Sequence, residues 1–431
     1  MEDPLLPGHS ASRVVRWWTA CLARVRGSLK LRSVAYYAGS SLFCQCLRFA
    51  GVLVSTRLFL PADFGTFAQA LLIMGLACLL RDVGITNGLV ACAEPEPQYA
   101  RFHFQTVLAT SVACGTAVFV MARACSWLAD GIAQSAGWLA LLVLLEGLTL
   151  TGTTMAQKRF RFRALAWVEV LSVGAWLAVL LLGDRKTPGY WLLLQARLAE
   201  VGLRAVLIGA LETWKHAGFT MESQVLHYYA RFARYGVPQA LVENGINQVD
   251  GLLLSAFSGV YELGLYERIQ QFTRIPLSLS VNLIDKVALA SYSRHQGEPS
   301  SLRRLLRIFT ISTFFAALSV VGILTLILPW FLGRAVGADW AARLSPLWWA
   351  ATPAMVLRPV VWCLAALFQG VGNVRVLFHF LLFGLLSLLS SELALVPRFG
   401  AMGVLLAQGV AHVLLLGYQS LAIRRWLAAQ K

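Results

Sequence analysis

The chain runs to 431 residues, 58% of them hydrophobic and only 13% charged, against roughly a quarter charged in an ordinary soluble domain. With a mean hydropathy of +0.66, this composition excludes a soluble enzyme of ordinary type and points to a chain dissolved in a bilayer. A net charge of +16 would suggest nucleic acid in a soluble protein, but here the basic residues gather in short loops between apolar runs, where they set orientation in the membrane.

In chain order, residues 1–33 read as a basic amphipathic segment lying on the membrane surface, with Val14, Val15, Trp17, Trp18, Leu22 and Val25 interleaved among Arg13, Arg16, Arg24 and Arg26. A disordered basic tail is the other reading of the same residues. Candidate spans follow at 34–56, 65–90, 104–126, 133–155, 164–183 and 189–211, then 236–258, 268–290, 305–332, 346–370, 376–396 and 400–422. Each is about 20 residues long, as a hydrocarbon core of about 30 Å demands. The runs are continuously apolar instead of alternating every second position, so they predict helices and not barrel strands. The expected architecture is all-α and polytopic: about twelve transmembrane helices in two parallel-repeat six-helix bundles around a central cavity. Residues 34–211 form the first bundle, 212–235 a cytoplasmic linker and 236–431 the second bundle. Lys and Arg concentrate in the loops on the N-terminal side, including Lys158, Arg159, Arg161 and Arg163, which places both termini in the cytoplasm. No cleavage site follows the first apolar run, so no cleaved signal peptide is expected. Eight cysteines sit mostly inside apolar runs without ligand spacing and read as packing residues.

An internal repeat supports the two-bundle reading. Pro61-Ala62-Asp63-Phe64-Gly65-Thr66-Phe67 follows the first span and Val260-Tyr261-Glu262-Leu263-Gly264-Leu265-Tyr266 follows the seventh: acid, apolar, Gly, any residue, aromatic. Six helices per half is an even number, so the halves share an orientation, related by an axis along the membrane normal. The acid next to the glycine reads as an N-cap or turn device for the following helix.

Polar residues within the spans carry the functional signal, because a charge at mid-membrane costs about 2.5–3.5 kcal/mol on insertion scales and needs a partner or a wet cavity. The first span carries Ser41, Gln45, Arg48 and Ser55 on one face. The seventh carries Glu243, Asn247 and Asp250, and the eighth Gln271, Arg274, Ser278, Asn282 and Asp285 behind Arg268. Arg197, Glu200 and Arg204 are spaced to neutralise one another along their own helix, and Arg81 is expected to pair with Asp82 or to sit at the end of its span. Arg48 and Arg274 have no opposite charge within a turn, so their partner comes from another helix or a ligand. His379 and His412 read as packed neutral side chains. No phosphate-binding loop, zinc-protease or hydrolase motif occurs, and no external loop is long enough to hold a catalytic site, so no enzyme is expected.

The segments Arg57-Leu-Phe-Leu-Pro61-Ala-Asp63-Phe-Gly65 and Leu80-Arg81-Asp82-Val83-Gly84, then Asn247-Gln-Val-Asp250, Leu263-Gly-Leu-Tyr266-Glu-Arg268 and Ile275-Pro276, then Gly337-Ala-Asp339-Trp340, Leu357-Arg358-Pro359 and Phe368-Gln369-Gly370 together resemble the polysaccharide flippases of the multidrug/oligosaccharidyl-lipid/polysaccharide exporter superfamily. The resemblance covers about residues 31–425. It implies two six-helix bundles facing a central cavity that moves a polyprenyl-pyrophosphate-linked oligosaccharide repeat unit to the outer leaflet by alternating access, for exopolysaccharide, capsule or O-antigen. Many such proteins have fourteen spans, against twelve here. On this reading Arg48, Arg57, Arg268, Arg274 and Arg358 receive the pyrophosphate, and Gln45, Asn244, Asn247, Gln248 and Gln271 the sugars. Glu243 and Asp250 provide counter-charge, or take up the proton or sodium ion that drives the return step. The resemblance places the chain as a monomer in the bacterial inner membrane, with no cofactor, no nucleic acid, and a polysaccharide polymerase and chain-length proteins as candidate partners. The alternatives are an ion-coupled multidrug antiporter of the same superfamily and, behind it, a membrane glycosyltransferase or polymer ligase.

Overall fold

The computed structural model describes residues 29–429 except 79–80, 82–84, 93–96, 126–127, 185 and 297. Most of the expected surface segment 1–33 therefore lies outside the described residues. Helices account for the described chain: α1 (Leu29–Leu58), α2 (Pro61–Cys78), α3 (Ile85–Ala91), α4 (Pro97–Ala124), α5 (Asp130–Lys158), α6 (Phe162–Leu182), α7 (Gly189–Leu211), α8 (Ser223–Arg294), α9 (Pro299–Ala335), α10 (Ala338–Gly370) and α11 (Val374–Ala429). A single 3-10 turn, Thr213–His216, follows α7. In hydrocarbon the backbone must satisfy its own hydrogen bonds, which a helix does within one segment. By length and composition α2, α4, α5, α6, α9, α10 and α11 suffice to cross a membrane. The polar stripes fall on α1, α7 and α8.

The two longest helices are folded back on themselves. Tyr266 donates to Asp250 Oδ2 at 2.5 Å, although sixteen residues of straight helix would separate them by about 24 Å. The reversal occurs at Gly259, whose φ of +79° is open to glycine and strained for other residues. In α11 Gly400 has φ +56°, and the rings of Phe383 and Tyr418 stack across the fold at 4.5 Å. The arms are denoted α8a (223–258), α8b (260–294), α11a (374–399) and α11b (401–429). With α2 and α3 as one interrupted crossing and each folded helix as two arms, the described residues make twelve helical passes. The crossing expected over 65–90 begins earlier, at Pro61, and is broken after Cys78, where Arg81, Asp82 and Gly84 interrupt the apolar run.

The end of the molecule where α1 finishes is called distal below, and the end where it begins proximal. At the distal end the two repeats meet. A methyl group added at Gly65 would lie 1.6 Å from the Val260 carbonyl oxygen, and one at Gly264 would lie 1.8 Å from that of Pro61. Val260 is the repeat equivalent of Pro61, and Gly264 of Gly65, so the contact is reciprocal, as a local two-fold between parallel repeats requires. Only a residue without Cβ permits backbones this close.

The acids of the repeat also act in parallel. Glu262 Oε2 accepts from the Ala401 N–H at the start of α11b, at 2.9 Å. Asp63 accepts from Leu60 N–H at 3.1 Å and packs on Gly189 at the start of α7. Each carboxylate thus sits at the positive N-terminus of its own bundle's last helix, in addition to the local turn expected for Asp63. A hydrophobic cluster including Phe64, Leu72, Leu193, Leu254, Leu263 and Trp340 seals this distal contact from both halves. On the α2 side the halves stay together along the helices: Gly75 packs against the Gln248 side chain and Leu72 against Gly251. On the opposite side, the described side-chain contacts between α1 and α8b lie at or beyond Phe49, which meets Phe272 edge-on at 6.0 Å.

Candidate functional site

A connected group of arginines occupies the N-terminal bundle at mid-depth. Glu200 lies about 16 Å of helix from the start of α7, and its carboxylate is 1% exposed. Arg197 reaches it at 2.9 Å and Arg204 at 3.4 Å, from three and four residues away along α7. The partner of Arg48 comes from another helix, the first of the two sources its isolation on α1 allowed, and is this same carboxylate, at 2.6 Å. Arg197 also bonds Glu146 of α5 at 2.8 Å. Glu146 in turn holds Arg81 at 3.3 Å, so the partner of Arg81 is a glutamate on α5. Four guanidinium groups therefore share two carboxylates. Glu169 on α6 stands near enough to act on Cys44 together with Arg48, Arg204 and Glu200, and the group remains cationic with it counted.

Glu200 is buried, whereas the side chains of Arg48, Arg197 and Arg204 remain about 30% exposed. The acid is enclosed, and the three arginines that hold it keep part of their side-chain surface uncovered. Gln45, one turn before Arg48, is exposed as well. Arg197, Glu200 and Arg204 thus neutralise one another in part, as their spacing suggests, and also form the heart of the cluster. Their membership in it is not legible from α7 alone, because the other partners lie 51 and 152 residues away.

Two further arginines belong to the distal seam. Arg268 is buried, with its guanidinium 3.7 Å from the centre of the Phe64 ring and 3.5 Å from Ser55 Oγ, so it reaches from the C-terminal half onto the N-terminal half. Gln69, at its repeat-equivalent position, crosses the other way and donates to Ser255 Oγ at 2.8 Å. Arg57 donates to the carbonyl of Arg334 in the last turn of α9, where a cation offsets the negative helix end. In this conformation Arg57 and Arg268 join the halves and stand apart from the mid-depth cluster. Arg358 lies on α10, 5.7 Å over the Trp362 ring and within electrostatic range of His412, also apart from that cluster.

On α8, Asn247 is exposed and Asn244, Gln248 and Gln271 are half-buried. Gln248 packs on Gly75, and Gln271 Oε1 has no hydrogen-bond partner. The side chains of Glu243 and Arg274 lie outside the described residues, as do those of Ser278, Asn282 and Asp285. Asp250 is 8% exposed and receives Tyr266 at 2.5 Å and Gln408 Nε2 at 2.7 Å on Oδ2. Its Oδ1 is buried without a donor, and so are both carboxyl oxygens of Glu392 on α11a, whose interacting acid is Asp250. Sequence reasoning missed Glu392, a lone acid on its span with no polar stripe to mark it. Two buried acids that interact are stable together only with a bound proton or an accompanying cation.

At the proximal end the basic loop after α5 is tied down. Lys158 bonds the Leu89 and Val90 carbonyls at 2.7 and 3.2 Å, and that of Cys92, capping the end of α3. Arg159 and Arg161 clasp the buried Glu212 at 2.6 and 2.9 Å, and His216 lies 3.5 Å from the same carboxylate. Burial lowers the His216 pKa; Arg159 adds to the effect and Glu212 opposes it.

Comparison with known proteins places this architecture. The sequence profile of a polysaccharide biosynthesis protein family matches residues 54–344. The succinoglycan biosynthesis transport protein ExoT of Rhizobium meliloti is 26% identical over 342 residues, which cover 77% of this chain and 67% of that protein. Among solved structures, the lipid II flippase MurJ in an inward closed conformation superposes with a TM-score of 0.74 at 12% identity, covering 90% of this chain and 87% of MurJ. An inward-facing multidrug resistance MATE family transporter of the MOP superfamily gives 0.71 at 15% identity, covering 90% of this chain and 95% of the transporter. At these identities the structural likeness establishes the fold, a multi-pass membrane protein of two repeated bundles.

Proposed function

We propose that this chain, which belongs to the polysaccharide biosynthesis protein family, is a flippase that carries polyprenyl-pyrophosphate-linked oligosaccharide units across the membrane by alternating access. The observation that carries the proposal is the mid-depth cluster, in which four arginines share two carboxylates and three of them, Arg48, Arg197 and Arg204, stay about 30% exposed. A pyrophosphate cannot cross hydrocarbon unaided, and guanidinium groups match its oxygens with paired N–H donors. In the empty carrier Glu200 holds Arg48, Arg197 and Arg204 in place. When the headgroup arrives it takes up donors that Glu200 leaves free, so the arginines keep their positions and hold both anions. Gln45, Asn244, Asn247 and Gln271 contact the sugars, while the prenyl chain stays in lipid at the seam between the halves.

The proximal end is the cytoplasmic side of the bacterial inner membrane on this reading, because the basic loops lie there. The distal seam is then the outer gate. Opening it parts the Gly65 and Gly264 crossing, the Arg268 contact with Phe64 and the Gln69 bond to Ser255. Asp250 and Glu392 take up the proton or sodium ion that resets the carrier, since binding it favours whichever conformation brings the two acids together. An antiporter of cationic drugs on the same fold is the second reading, and an arginine-rich cluster suits it poorly.

Deleting the gene tests the function. Lipid-linked oligosaccharide should accumulate on the cytoplasmic leaflet while the external polymer disappears, and plasmid-borne Arg48→Ala should not restore it. Normal external polymer in the deletion strain would refute the proposal.

A further inference from the structure

We propose that the C-terminal bundle holds an anionic diacyl phospholipid in a groove between α9, α10 and α11b, separate from the transport path. The groove has a volume of about 660 Å³ and is lined at its proximal rim by Arg303, Arg307 and Arg424. No carboxylate forms an ion pair with these three among the described residues. On α9 the lining runs from Arg303 to Phe315, about 18 Å of helix. On α11b it runs from Leu416 to Ala428 over a similar depth.

The chemistry is layered in the order that a phospholipid presents. The arginines come first, at the level where both helices reach the membrane surface. One turn deeper on each helix a hydroxyl lines the groove: Thr310 below Arg307 and Ser420 below Arg424. Thr310 Oγ1 is buried and has no hydrogen-bond partner, so turning its side chain into the groove to donate to a lipid ester carbonyl would break no existing hydrogen bond. Deeper still the walls are apolar, with Phe314, Leu364 and Leu416, and Ile311 and Phe315 are about half exposed at the side. The groove is therefore open to lipid along its length. Phosphate on the arginines, ester on the hydroxyls and acyl chain against the wall satisfy all three layers. Basic pockets between transmembrane helices recognise anionic headgroups by the same combination.

The test uses the full chain purified in mild detergent, with lipid retention read by native mass spectrometry. Phosphatidylglycerol should bind at least tenfold more tightly than phosphatidylcholine, and neither inorganic phosphate nor glycerophosphate should displace it. The double variant Arg303→Gln/Arg307→Gln should lose at least tenfold of that affinity. Thr310→Val, which removes a single hydroxyl, should lose a few-fold. A photoreactive phosphatidylglycerol should label 303–315 and 416–428 in the wild-type protein, a result that does not depend on any variant folding. Equal retention of the two lipids, displacement by inorganic phosphate, unchanged binding in the variants, or labelling elsewhere would overturn the proposal. So would occupancy by polyprenyl phosphate in preference to phosphatidylglycerol.

Discussion

Replacing Gly65 or Gly264 by alanine should hold the distal seam open. The added Cβ would stand 1.6 Å from the Val260 oxygen or 1.8 Å from the Pro61 oxygen, where ordinary contact begins near 3.4 Å. The backbones must therefore separate by 1.6 to 1.8 Å, and no rotamer offers relief because the opposing atoms are main chain. Overpacking of this kind costs about 1–3 kcal/mol, and it falls only on the conformation in which the repeats touch. That corresponds to a shift of about 5- to 150-fold in the balance between closed and open distal ends. In a protein freed of its native cysteines, Ser55→Cys reports the state of the gate, since Ser55 is 2% exposed beneath the seam. A membrane-impermeant maleimide added from the distal side should label it slowly in the parent and at least fivefold faster with either alanine. The double variant should exceed both. Unchanged labelling together with unchanged flipping would refute the role assigned to this crossing.

Arg48→Ala should weaken binding of a polyprenyl-pyrophosphate sugar by about ten- to a hundredfold, the equivalent of about 1.5–3 kcal/mol for hydrogen bonds to a charged group. It should leave the melting temperature nearly unchanged, because Glu200 keeps Arg197 and Arg204; Glu200→Gln, which leaves three guanidinium groups facing one another, should cost about 3 kcal/mol of stability by thermal melting. Glu392→Gln should abolish the dependence of flipping on a proton or sodium gradient while substrate binding persists, as followed by gradient-jump assays in liposomes. His216 is held neutral by burial, so its contribution is present above its unfolded pKa of about 6.5 and is lost as pH falls below that value towards its lowered folded pKa. Hydrogen exchange over 211–217, corrected for intrinsic rates, should rise between pH 7.5 and 5.5, and His216→Gln should flatten that response.

How much of this was legible in the sequence depended on the distance between cause and effect along the chain. The apolar runs gave twelve crossings because hydropathy is a local property, and the breaks expected after 258 and 396 fall at or near the turns at Gly259 and Gly400, although those links are shorter than expected. The repeat was legible because its acid and glycine recur in register. Its meaning was not, since the reciprocal contact appears only when Gly65 meets Val260. The isolation of Arg48 on α1 called for a partner on another helix or a ligand, and the identity of Glu200, 152 residues on, needs the packing of α1 beside α7. Arg268 looked like a cavity cation because charge alone was readable. Its place against Phe64 follows from the crossing of the repeats, which brings the start of α2 against α8b. Glu392 escaped notice for the opposite reason, since a single acid on α11a gains significance only from Asp250 beside it.

The central claim is that the mid-depth arginines carry an anionic lipid headgroup from one leaflet to the other. Its most direct test is a proteoliposome assay with a fluorescent polyprenyl-pyrophosphate oligosaccharide loaded in one leaflet, comparing the wild-type protein with Arg48→Ala in equal orientation and amount. The account predicts protein-dependent appearance of the probe in the opposite leaflet and at least a tenfold lower rate in the variant. Equal rates for the two proteins, both above protein-free vesicles, would contradict it.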